Sequence, residues 1–245
     1  MQIDAKTVKK HFEKSMPSYD QNAVVQQISA EKIVEKLVNI RKSFSDVLEL
    51  GSGTGLLTKE FCASCTFSSF SANDLTERSK FYLDKILNDY QFFCGNAEKI
   101  KTNRTFDLII SNAMFQWFSD IKSELNNHLY SMLKDKGILA FSTFSSANFK
   151  ELRNITGLSL EYKSFDEIKQ MLSEKYIVLH AENFDYTMNF TTPLEVLAHM
   201  KHTGVNSLSV RKWTFSDVKD FCDKYKQLYP ELTLTYSPMI FIVQK

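Results

Sequence analysis

The sequence predicts an α/β protein built on a doubly wound, mostly parallel, Rossmann-like sheet. Between residues 46 and 143 short strand-like runs alternate with stretches of helical period, which implies parallel strands joined by crossover helices. Runs such as Asp107-Leu108-Ile109-Ile110 and Ile138-Leu139-Ala140-Phe141 are apolar at successive positions, as strands covered on both faces must be. The earliest strand-like run, Asp46–Leu50, stops in a glycine turn.

Taken in order, Lys6–Lys14 reads as a short helix and Gln21–Arg41 as a longer one, with Met16-Pro17-Ser18-Tyr19-Asp20 breaking them apart. Strand Asp46–Leu50 leads through the turn into helix Leu56–Cys62, and the unit repeats as strand Thr66–Asn73, helix Glu77–Asn88 and strand Gln91–Cys94. Strand Phe106–Ser111, helix Ile121–Leu133 and strand Gly137–Thr143 follow. Beyond them the alternation loosens. Helices are expected near Asn148–Thr156 and Asp166–Ser173, and a strand near Tyr176–His180 that resumes at Tyr186–Phe190. Helices Pro193–Lys201 and Ser216–Gln227 follow, the latter capped by Thr214 or Ser216, and Leu232–Val243 is strand-like.

A chain of 245 residues suits one large domain. Its 30 basic and 29 acidic residues nearly cancel, so it lacks the general basic surface of a nucleic-acid binder. No stretch approaches the ~20 apolar residues that cross a bilayer, and Met1–Lys14 alternates charge without an apolar run. A cytoplasmic protein without membrane or nucleic-acid partners is expected. Cys62 and Cys65 form a C-x-x-C pair, but no second close Cys/His pair accompanies it, so no metal is expected. His11, His128, His180 and His199 form no recognisable constellation.

In an open parallel sheet the ligand sits beyond the carboxyl ends of the strands, where Glu49-Leu50-Gly51-Ser52-Gly53-Thr54-Gly55 lies. Three of the chain's seven glycines stand here, and glycine lets backbone approach a nucleotide-like ligand closely. Asp74 follows Gly55 by 19 residues at the end of the next strand, where a carboxylate can accept from both ribose hydroxyls; capping the following helix is its bland alternative. The spacing is G-x-G-x-G rather than G-x-G-x-x-G, and Glu49 would repel a diphosphate but suit a cationic ligand. S-adenosylmethionine is favoured over a dinucleotide.

Val47 through Gly55, Asn73-Asp74-Leu75, Cys94-Gly95-Asn96-Ala97-Glu98 and Phe106 through Ala113 resemble, in order, the signature motifs of class I S-adenosylmethionine-dependent methyltransferases. More specific stretches resemble the malonyl-acyl-carrier-protein O-methyltransferases of biotin synthesis. They are Phe12 through Asp20, Ser111 through Phe118, Ile138 through Phe144, Asn148 through Arg153 with Thr156-Gly157-Leu158, Pro193 through Leu197, and Lys201 through Asn206.

That resemblance implies a seven-stranded sheet with a helical cap in a single domain: 1–42 a helical lid, 43–190 the cofactor-binding core, 191–230 the cap and 231–245 the final strand. It implies methyl transfer to the free carboxylate of a malonyl thioester on acyl carrier protein or coenzyme A, by a monomer. Another small acid, a quinone or an amine is the alternative acceptor, and a silent binding fold the rival from another class. Tyr19, Glu49, Gly51, Ser52, Gly53, Asp74, Leu75, Asn96, Ala97 and Asn112 would hold S-adenosylmethionine, Asn96 standing where the family usually has aspartate. Tyr19, Gln116 and Trp117 would cover the reacting centre. Arg153, Lys201, His202 and Arg211 are the cations that would hold the acceptor, Arg153 foremost, with Lys201, Arg211 and Lys212 facing the acidic carrier.

Overall fold

The computed structural model describes residues 4–204 and 213–245. Two helices, α1 (Ala5–Asn22) and α2 (Val24–Ile40), precede strand β1 (Ser43–Leu50), and α3 (Leu56–Ser64), β2 (Thr66–Asp74), α4 (Ser79–Leu83) and β3 (Gln91–Cys94) follow. After β4 (Phe106–Ser111) comes one continuous helical stretch: α5 (Ile121–Ser123), a π-helical segment (Glu124–Leu129) and α6 (Tyr130–Met132). The chain continues through β5 (Leu133–Phe144), α7 (Lys150–Thr156), α8 (Phe165–Ser173), β6 (Ile177–Asn183), β7 (Tyr186–Asn189), α9 (Pro193–His202), α10 (Phe215–Leu228), β8 (Thr233–Tyr236) and β9 (Pro238–Gln244).

Seven strands form one sheet in the order β3-β2-β1-β4-β5-β9-β6, parallel except for β9, which runs antiparallel to both its neighbours. The chain winds outward from β1 to β3, then crosses back to lay β4 on the other side of β1. That reversal opens a crevice at the carboxyl ends of β1 and β4.

Successive side chains on a strand leave opposite faces, so an unbroken apolar run feeds two cores. Leu108 and Ile110 join Ile33, Leu37 and Phe61 on one face. Ile109 joins Leu48, Leu125 and Leu129 on the other, where Phe115, Phe141, Phe241 and Phe165 stack in a row with centroids 4.3, 5.4 and 5.2 Å apart. A third cluster, built on Phe149, Val196, Phe221 and Tyr236, joins α7, α9 and α10 beside the sheet.

The expected break at residues 16–20 does not occur: α1 runs through Pro17 to Asn22, and the chain turns instead at Ala23, which is wholly buried. A proline inside a helix deprives the carbonyl four residues earlier of its donor. Here that carbonyl is Glu13's, and it accepts from Arg78 Nη1 at 3.0 Å, so a side chain from beyond β2 makes good the loss. The helix expected at Glu77–Asn88 is only Ser79–Leu83.

The strand-like tail is two strands in two sheets. β8 pairs antiparallel with β7, away from the main sheet, and β9 enters the main sheet. Ser237 divides them: its N–H donates to Asn148 Oδ1 at 3.0 Å, and its carbonyl accepts from Ser145 N–H at 2.9 Å. Thr214, rather than Ser216, caps α10.

Glu151, 1 % exposed on α7, ties this second sheet to the core, its two oxygens accepting from Thr235 N–H at 3.0 Å and Thr235 Oγ1 at 2.6 Å. Glu151→Ala strands a buried backbone donor, so denaturant unfolding should register a loss of about 1–3 kcal/mol. An unmoved midpoint would show that these bonds are replaced by water at no cost.

Candidate active site

At Leu50 the chain leaves the sheet at once. Gly51, Gly53 and Gly55 manage it with φ of +67°, +56° and +83°, a region that side chains with a Cβ avoid. Space demands glycine as well: a Cβ on Gly51 would lie 2.6 Å from Met114 Cγ. Asp74, at the end of β2, clamps the turn from the neighbouring strand. Its Oδ2 accepts Gly53 N–H at 2.8 Å and its Oδ1 accepts Thr76 N–H at 3.0 Å.

Glu49 is 1 % exposed and accepts from Thr58 Oγ1 at 2.6 Å. Burial, with the Asp74 charge adding to it and the Thr58 bond opposing it, pushes the Glu49 carboxyl up to about 8. Burial also raises Asp74, against the backbone N–H groups of Thr76 and Gly53.

These groups open on a cavity of about 540 Å³. Among the residues that line it are Glu49, Gly51, Ser52, Gly53, Asp74 and Leu75 from the turn and β2, Asn96 and Ala97 after β3, Asn112 after β4, and Tyr19, Gln116 and Trp117. Strand order sets the long axis of the site: β2, β1, β4 and β5 are successive neighbours, so at ~4.8 Å per strand Phe144 at the end of β5 lies ~14 Å across the sheet from Asp74.

Not every amide expected at the ligand is free to meet it. Asn96 Oδ1 accepts from Glu98 N–H at 3.0 Å, and its Nδ2 donates to Glu98 Oε2 at 3.1 Å. Gln116 Nε2 donates to the Ala113 carbonyl at 2.6 Å and its Oε1 accepts from Thr143 Oγ1 at 3.2 Å, so it braces the bend at Ala113, whose φ is +53°. Asn112 Nδ2 donates to the Gln26 carbonyl at 2.9 Å and Oδ1 accepts from Ser142 Oγ at 2.6 Å.

Three of the four expected acceptor cations stand off the cavity wall. Neither Arg153, Lys201 nor His202 is among the residues lining the cavity. All three stand in the last turns of α7 and α9, where positive charge complements the helix dipole. Arg153 donates to the Ser146 carbonyl, Lys201 is exposed, and His202 Nδ1 meets Ser18 Oγ at 3.2 Å. Arg211, like Lys212, lies outside the described residues.

Helix α1 walls the cavity over the glycine turn. Thr54 Oγ1 donates to Asp20 Oδ1 at 2.5 Å, Thr76 Oγ1 donates to Glu13, and Tyr19 meets Phe12 edge-on at 5.2 Å. Sequence reasoning missed several lining residues: Phe12, Gln26, Phe149, Tyr162 and Tyr236. His199, assigned no role from sequence, is buried with Nε2 2.7 Å from the Tyr236 hydroxyl.

The donor set fits S-adenosylmethionine. Buried Glu49 suits the cationic end of that molecule, and Asp74 is placed for a ribose diol. Ser52 Oγ and Gln26 Oε1 are buried in the wall without a protein partner, the condition a polar ligand relieves.

A family model described as a methyltransferase domain matches residues 25–189. The N-methyltransferase NodS of Bradyrhizobium japonicum, solved with S-adenosyl-L-homocysteine, shares the fold: TM-score 0.53 at 13 % identity, over 88 % of this chain and 85 % of that one. The malonyl-(acyl-carrier protein) O-methyltransferase of Calditerrivibrio nitroreducens is 38 % identical over 98 % of this chain and 96 % of its own. Its counterpart in Haemophilus influenzae is 31 % identical over 99 % and 95 %. Fold, glycine turn and acidic strand end therefore define a class I methyltransferase. Within that class the chain belongs to the malonyl-(acyl-carrier protein) O-methyltransferase family.

With Glu49 held near 8, its carboxyl is protonated in the free site at neutral pH, while a cationic ligand favours the carboxylate. Affinity for S-adenosylmethionine should therefore rise as pH climbs from 6 and level off above 8, by at most about tenfold per unit for one proton released. Calorimetry in buffers of different ionisation enthalpy reads that proton directly, and Glu49→Gln should flatten the profile. A flat profile in the native protein would show Glu49 already ionised. Asp74→Ala should weaken binding by about 1–3 kcal/mol, and unchanged affinity would place the ribose elsewhere.

Proposed function

We propose that this protein transfers the methyl group of S-adenosylmethionine to the free carboxylate of a malonyl thioester carried on acyl carrier protein. Full-length kinship at 38 % identity with a malonyl-(acyl-carrier protein) O-methyltransferase carries the reading. The cavity is consistent with it. Beyond the cofactor residues, the cavity is walled by Phe144, Phe149, Leu160, Tyr162 and Tyr236, an apolar chamber with phenol oxygens.

When bound, the sulfonium supplies an electrophilic methyl group. The acceptor needs no general base, because a carboxylate with a solution pKa near ~4 is ionised at neutral pH. The protein's work is to align the acceptor oxygen with the methyl and to keep water from solvating it. The aromatic walls exclude water, and α1, tied to the glycine turn through Asp20 and Thr54, closes that side. Glu49 and Asp74 anchor the donor's charged end and ribose, Asn96 and Ala97 flank its base, and Tyr19 and Trp117 shield the reacting centre.

We read residues 1–42 as the lid and 191–230 as the cap of one domain working as a monomer. Four free cysteines suit a reducing, cytoplasmic setting. No helix among the described residues is long and apolar enough to cross a membrane.

Incubation with methyl-labelled S-adenosylmethionine and either malonyl or acetyl carrier protein tests the reading. Base-labile label on the malonyl form alone is expected. Absence of label from malonyl carrier protein would overturn the acceptor.

A further inference from the structure

Asn148, wholly buried between β5 and α7, fixes the direction of a hydrogen atom in the acceptor chamber. Its Oδ1 accepts the backbone N–H of Ser237 at 3.0 Å, and a backbone N–H can only donate. The amide therefore has one orientation. Its Nδ2 faces the Tyr162 hydroxyl oxygen at 3.2 Å and donates to it. A phenol hydrogen prefers the ring plane, with two positions, and the one facing an N–H donor is repelled. The Tyr162 hydrogen takes the other.

Tyr162 is half-buried and lines the cavity. Burial pushes its phenol up to about 12, while the Asn148 bond and the Arg153 charge pull the other way, so it stays protonated at neutral pH and its hydrogen is polarised by a nearby cation. Arg153, absent from the cavity lining, bears on the chamber through its charge beside this phenol.

We propose that Tyr162 donates its hydroxyl hydrogen to one carboxylate oxygen of the acceptor and leaves the other oxygen to attack. This rests on the malonyl reading above. In the step, a lone pair of the free oxygen forms the O–CH₃ bond and the S–CH₃ pair stays on sulfur. Carboxylate and sulfonium charges cancel, and the Tyr162 hydrogen stays on Tyr162. A neutral donor holds the nucleophile without the strong charge pairing of a guanidinium. Its bond is strongest to the charged acceptor and weakens once the neutral ester forms, so Tyr162 serves binding more than turnover.

Tyr162→Phe should raise KM for malonyl carrier protein about 10- to 100-fold with little change in kcat. S-adenosylmethionine affinity by calorimetry should hold. The variant also strands Asn148 Nδ2, so inhibition by acetyl carrier protein, which lacks the carboxylate, is the control for loosened structure. That inhibition should be unchanged. Equal losses toward acetyl and malonyl forms, or a malonyl KM in Tyr162→Phe equal to that of an active native enzyme, overturns the Tyr162 role. A native enzyme that leaves malonyl carrier protein unmethylated overturns the acceptor reading and takes this inference with it.

Discussion

Two carboxylates, Glu49 and Asp74, are buried against one cavity at the carboxyl ends of adjacent parallel strands, and the architecture answers to the cost of putting them there. Burying an ion without a partner is expensive, and the two relieve the cost differently. Asp74 takes two backbone N–H groups, which also fixes the glycine turn to the end of β2. Glu49 has one hydroxyl partner and is pushed toward its neutral form. A cationic ligand is the missing compensation. The turn, its three left-handed glycines and α1 above it form a cradle that is electrostatically incomplete by itself.

The cofactor half was legible in the sequence because its information is local. Glu49 to Gly55 is a single stretch, Asp74 ends the next strand, and the bounds of β3 and β4 follow from short apolar runs ending at polar or glycine residues. The reversal that opens the crevice follows from alternation of strand and helix. No contact between distant residues had to be guessed.

The acceptor half was not legible because it is made of distant contacts. Asn148 is braced by Ser237 and in turn holds Tyr162, while Glu151 holds Thr235. Tyr236 lies against Phe149 at 4.6 Å and against His199. No spacing rule connects these residues, and Phe149 sits at φ +53°, a conformation that propensity argues against. Pro17 misled for the same reason, since the group that compensates for it, Arg78, is 61 residues away in sequence. Charge alone did not place the cations: Arg153, Lys201 and His202 carry the chemistry for gripping a carboxylate, but they stand at helix ends, where positive charge also complements the helix dipole.

The two halves meet different electrostatic demands. The donor's cation must be held tightly and stays with the enzyme until a methyl leaves it, so buried carboxylates suit it. The acceptor's anion must be held and yet attack, and every kcal/mol spent pairing it in the ground state is lost again when its charge is neutralised in transfer. A buried guanidinium against that carboxylate would form the stronger bond and the poorer nucleophile. The chamber around Phe144, Phe149, Tyr162 and Tyr236 instead surrounds it with apolar surface and hydroxyls. In such a low-dielectric space a carboxylate and a sulfonium would attract each other, more strongly as water is excluded. Phe149, between Asn148 and Arg153, helps to shape the space in which the two would meet.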